Sequence, residues 1–121
     1  MIEIIPDLPT HVAAFKASGT VTKDDYEQIL IPRVDLIHKT FGQINFLLWL
    51  EADVSQYTIG AWIDDAFVGF KHFIHWHKIA IVSHQEMVKK VTNILGHLIP
   101  GETKGFIISE LPEAMRWISI N

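Results

Sequence analysis

Apolar and polar positions along this chain alternate with two different periods, and the changes of period mark its elements. Ile2 to Ile5 reads as a short β segment stopped by Pro6, with Asp7 and Pro9 making a turn. Val12 to Ala17 reads as a second strand, ended near Gly19, that pairs with the first as an antiparallel hairpin. From Thr22 the period becomes helical: Tyr26, Ile29, Leu30, Val34, Ile37 and Phe41 recur on one face and are expected to face the core. Thr22 suits an N-cap, and Asp24 and Asp25 suit a first turn, where the helix dipole favours negative charge. Pro32 lies inside this pattern and predicts a kink or interruption, because it brings no N–H and its ring crowds the preceding turn. Gly42 ends the helix.

Ile44 to Leu50 is the clearest strand. It is apolar on both sides, with Ile44, Phe46, Leu48 and Leu50 on one and Leu47 and Trp49 on the other, so both faces need cover. Asp53 to Tyr57 reads as a loop. Thr58 then caps a second helix with the stripe Ile59, Trp62, Ile63, Ala66, Phe67, Phe70, Phe73 and Ile74. Lys78 to Val82 forms a fourth strand. Ser83 is read as the cap of a third helix, with Glu86 completing a capping box and Met87, Val88, Val91, Ile94, Leu95 and Leu98 buried. Pro100 and Gly101 break it. Thr103 to Ile108 is the last strand, and Ser109 is read as the cap of a short final helix carrying Ala114, Met115, Trp117 and Ile118. The order β-β-α-β-α-β-α-β-α predicts one α/β domain over residues 1–121. Its sheet is five-stranded, mixed and mostly parallel, with right-handed crossovers and four flanking helices.

The 121 residues and 49% hydrophobic content fit a single domain whose core needs no covalent staple. The lack of cysteine excludes a disulfide framework, a thiolate zinc site and a cysteine nucleophile. The longest unbroken apolar run, Phe46 to Leu50, is far short of the roughly 20 residues that span a bilayer. Met1 to Pro9 lacks the features of a signal peptide, so a cytoplasmic protein is expected. A net charge of −4 with no basic stripe argues against nucleic acid as a partner.

The second helix is rich in large aromatics, with Trp76 just beyond it. Such a stripe ordinarily serves as core. Here Val68 and Gly69 widen the apolar surface beyond one face, and the third strand is greasy on both sides. The pattern therefore predicts a binding surface for an apolar small molecule, a membrane surface or a protein partner. Its expected ligand-binding residues are Trp49, Trp62, Phe67, Val68, Phe70 and Phe73, and a homodimer would cover the same surface. Asp64 and Asp65 oppose anionic lipid, so any peripheral membrane contact rests on ring insertion. His72 and His75 are three apart on one helix side, and with His77 they form an alternative, weak metal site. No nearby carboxylate supports them, and a helix C-terminus attracts histidine for its dipole alone, so no metal or cofactor is assigned. Asp64 and Asp65 point about 100° apart on a helix and cannot share a reacting atom. No nucleophile elbow, phosphate loop or dinucleotide fingerprint is present, and an enzyme is not expected.

Several stretches together carry a family likeness. They are Ala17-Ser18-Gly19 ahead of the Thr22 helix, Phe46-Leu47-Leu48-Trp49-Leu50, Trp62 with Asp64-Asp65, Lys78-Ile79-Ala80-Ile81-Val82, and Glu113-Ala114-Met115-Arg116-Trp117-Ile118. Over nearly its whole length the chain resembles the SpoIIAA-like, STAS-type domains, in their stand-alone bacterial branch. The resemblance implies a five-stranded sheet flanked by four helices. It also implies two kinds of function. Anti-sigma-factor antagonists of this fold are switched by phosphorylation of a serine at the start of the helix after the third strand. The corresponding stretch here, Glu51 to Gly60, offers Ser55 and Thr58 but lacks the compact Asp-Ser-Ser-Gly motif. Related stand-alone proteins, similar in topology to lipid-binding CRAL-TRIO domains, imply apolar ligands or membrane association.

Overall fold

Five strands hydrogen-bond in the order in which they occur: β1 (Ile2–Ile4), β2 (Val12–Ala17), β3 (Ile44–Leu50), β4 (Trp76–Ser83) and β5 (Glu102–Ile107). The structure, a computed structural model, describes residues 1–51, 75–98 and 101–120. β1 runs antiparallel to β2, with Ile4 opposite Phe15, and every later pairing is parallel. The mixed, mostly parallel α/β sheet expected from the alternation of periods is the one observed. Between β2 and β3 come a short turn of helix, α1 (Lys23–Asp25), a π-helical segment (Tyr26–Leu30) and α2 (Ile31–Phe41). α3 (Gln85–Leu98) links β4 to β5, and α4 (Leu111–Ser119) follows β5 after a 3-10 turn, Ile108–Glu110. The helix expected from Thr58 onward lies outside the described residues.

Local chemistry explains where these elements start and stop. Thr22 and Asp25 cap α1 reciprocally: the Asp25 N–H donates to Thr22 Oγ1 (3.2 Å) and the Thr22 N–H donates to Asp25 Oδ2 (2.9 Å). Pro32 falls in the first turn of α2, where its missing N–H costs least, and the π-helical segment lies directly ahead of it. The expected interruption thus takes the form of a widened turn. Gly42 adopts φ 78°, and its N–H bonds to His38 O (2.9 Å), closing α2.

Three expected boundaries are corrected. β4 begins at Trp76, not Lys78, because Trp76 already pairs with Ile44. Ser83 does not cap α3. It is the buried last residue of β4, and its hydroxyl donates to Leu50 O (2.9 Å), tying β4 to β3. Ser109 does not cap the final helix either. It lies within the 3-10 turn, and the Glu110 carboxylate accepts from the Ile107 N–H (2.9 Å).

The sheet carries a core on each face. On one, Phe15, Phe46, Leu48 and Ile81 pack with Leu30, Val34 and Ile37 and with Met87 and Val91 of α3. On the other, Ala14, Leu47, Ala80, Val82 and Phe106 pack with Ala114 and Ile118 of α4. α4 runs back against the strand direction, so its last turn meets the N-terminal ends of β2, β3 and β4. Its final carbonyls, which a helix cannot satisfy itself, are taken by side chains from there. Asn45 Nδ2 donates to Ile118 O (2.8 Å), and Lys78 Nζ donates to Trp117 O (3.0 Å) and Ile120 O (2.8 Å). His11 Nε2 donates to Ser119 O (2.9 Å). With its amide nitrogen donating, Asn45 must accept through Oδ1, so His77 Nδ1, 2.9 Å away, carries a proton.

Candidate functional site

At the C-terminal ends of the parallel strands, on the α4 side of the sheet, Lys16 of β2 and Trp49 of β3 are register partners. Glu51 follows at the end of β3. The Lys16 ammonium lies 2.8 Å from Glu51 Oε1 and 4.6 Å from the centroid of the Trp49 ring, a salt bridge and a cation–π contact in one cluster. Trp49 is half-buried, whereas its strand neighbours Leu48 and Leu50 are fully enclosed. Its Nε1–H is shut away from solvent and finds no acceptor among the described residues. A buried donor left unpaired costs about 1–3 kcal/mol. An oxygen atom brought by a ligand would remove that cost. Open α/β sheets bind ligands at this end of their strands. The cluster offers a directed N–H, an ammonium balanced by a carboxylate and an aromatic face. Groups of these kinds have the chemistry to hold and orient a molecule.

Of the residues expected to bind ligand, Trp49 occupies this place, while Trp62, Phe67, Val68, Phe70 and Phe73 lie outside the described residues. So do Ser55, Thr58 and His72. Trp76, which the sequence put beyond the aromatic helix, is a buried β4 residue set edge-on to Phe46 at 5.7 Å. Its role is packing.

Of the alternative histidine cluster, the two described members, His75 and His77, have different partners. His75 Nδ1 lies 2.9 Å from His38 Nε2 at the end of α2, while His77 Nδ1 is committed to Asn45. Both residues border a hollow of about 310 Å3 with Gly42, Gln43 and Trp76. Among the described residues no three histidine or carboxylate groups are placed to hold a metal ion. The His38–His75 contact was invisible in the sequence, because 37 residues separate the two rings and only the fold brings them together. Lys16 and Glu51 were likewise missed. Their signal was faint: a lone lysine in an apolar strand, and an acidic residue just past another.

No helix among the described residues is long and apolar enough to cross a membrane. A model of the SpoIIAA-like family matches residues 12–119. The chain is also similar to the crystal structure of an uncharacterised protein from the DUF3478 family with a SpoIIAA-like fold, from Shewanella loihica PV-4. The two are 27% identical, with a TM-score of 0.58 over 97% of this chain and 93% of the other. Among curated proteins, no sequence matches this chain. The likeness read from the residues and the architecture it implied agree with both matches.

Proposed function

This chain belongs to the SpoIIAA-like family, and from that premise we propose that it is a non-catalytic binding domain for an apolar, lipid-like molecule held at the C-terminal end of its sheet. The observation that carries this reading is the enclosed, unpaired Nε1–H of Trp49. Its ligand brings an oxygen to that N–H and an aliphatic body to the apolar surroundings of the ring. The Lys16–Glu51 pair forms a polar lip that favours an uncharged or zwitterionic head over a bare anion, since the lysine charge is already balanced. Trp62, Phe67, Val68, Phe70 and Phe73 remain the further ligand contacts expected from the sequence alone.

Organic extraction of protein purified under native conditions, followed by mass spectrometry, tests the proposal. A lipid-like compound recovered at near-stoichiometric amount is expected from wild type and a reduced amount from Trp49→Phe. Equal recovery from both, or none from either, would remove the basis for the reading.

A further inference from the structure

A second hollow, of about 290 Å3, lies at the opposite end of the strands, between α2 and the turn that leads into β2. Arg33, Leu36, Ile37, Thr40 and Phe41 of α2 line it, with Thr10 across from them. The α2 residues follow the spacing of one helix face. This face does not serve the core alone, since Leu36 is 55% and Phe41 44% exposed. Two large apolar side chains stand open here beside a guanidinium.

The state of that guanidinium identifies what the hollow fits. Arg33 Nε is buried and without a hydrogen-bond partner, and no carboxylate forms an ion pair with Arg33 among the described residues. The nearby acid on the same helix, Asp35, is already paired with Lys39 at 2.9 Å. A permanently charged fork of donors with an unused buried N–H is matched by a carboxylate, which accepts from it in the plane of the fork. The helix sets the orientation. Arg33 is in the first turn of α2 and Phe41 at its end, where the helix dipole repels negative charge. The eight helical steps from one to the other span about 12 Å. A ligand therefore places its charged head at Arg33 and its apolar body along Leu36, Ile37 and Phe41. The volume is at the small end for ligand sites, which limits the occupant to a compact molecule.

We propose that the hollow formed by Thr10, Arg33, Leu36, Ile37, Thr40 and Phe41 is a binding site for a small carboxylate with an aliphatic or aromatic body. It is separate from the cluster at Trp49, in position and in the head group it selects.

Titration of the 15N-labelled full chain with sodium octanoate, followed amide by amide, tests this site, with 1-octanol as the uncharged control. Octanoate is expected to shift the amides of residue 10 and residues 33–41 saturably. The affinity should fall about tenfold in Arg33→Gln, and octanol should bind correspondingly worse than octanoate. Trp49→Phe should leave the titration unchanged, so failure of the Trp49 reading leaves this result readable and the reverse also holds. If Arg33→Gln does not fold, Leu36→Glu at an exposed position sets a like charge beside the site and must weaken octanoate at least about fivefold. At residues 10 and 33–41, shifts that are absent or do not saturate, octanol binding equal to that of octanoate, or unchanged affinity in the variants would overturn the proposal.

Discussion

Gly105 in β5 sets how closely α3 can lie against the sheet. A Cβ there would collide with Val88 Cγ1 and touch Thr92 Cγ2 at 3.1 Å. Gly105→Ala should lower stability by about 1–3 kcal/mol, the usual cost of overpacking, read as a lower denaturation midpoint in urea. Trp49 predicts a different balance. Trp49→Phe keeps a six-membered aromatic ring but loses the five-membered part that carries the stranded N–H; the relief of that N–H offsets the packing lost, so stability should change little while ligand affinity falls. At Asp25, the Thr22 N–H, aided by the nearby chain-terminal ammonium, holds the carboxyl below its ordinary value against a smaller opposing effect of burial. The unfolded chain binds that proton more readily, so the contribution is present above the unfolded value of about 4 and fades as pH falls through the folded one. Asp25→Asn should flatten the loss of stability between about pH 5 and 3, and an unaltered pH profile would show that the cap is idle. The sequence marked Trp49 as apolar and inward. It could not show that its nitrogen lacks an acceptor, because that depends on every neighbour within hydrogen-bond reach.

Elements followed the apolar periods closely where burial alone defines them. The one-side, other-side split of β3 is as the alternation predicts. Ends were harder to read, because a serine or threonine before a helix pattern suits a cap and a buried strand end equally well. Thr22 is a cap; Ser83 is a strand residue whose hydroxyl reaches Leu50 O. The anchoring of α4 was not legible at all, since Asn45, Lys78 and His11 come from three separate strand ends or turns. Asn45→Ala removes both the donor to Ile118 O and the acceptor for His77, and should cost about 1–3 kcal/mol. Hydrogen exchange should speed up at the last turn of α4 before the rest of the sheet. Uniform exchange along the chain would mean that the helix end is held by packing instead.

For the molecule as a whole, sequential parallel strands place α2 and α3 on one face, while α4 returns across the other. β3 leads in sequence into the stretch after Glu51, where the chain concentrates its aromatics. Membership in the SpoIIAA-like family accounts for this plan, and the proposed use of it rests on the indole N–H that has no acceptor among the described residues. The claim that this end of the sheet binds a lipid-like molecule is tested most directly by the affinity of a fluorescent uncharged long-chain lipid for wild type and Trp49→Phe, measured alongside their denaturation midpoints. Binding about tenfold weaker in the variant, at a nearly equal midpoint, is the predicted result. Equal affinity, or a loss of affinity matched by a loss of folding, would contradict it.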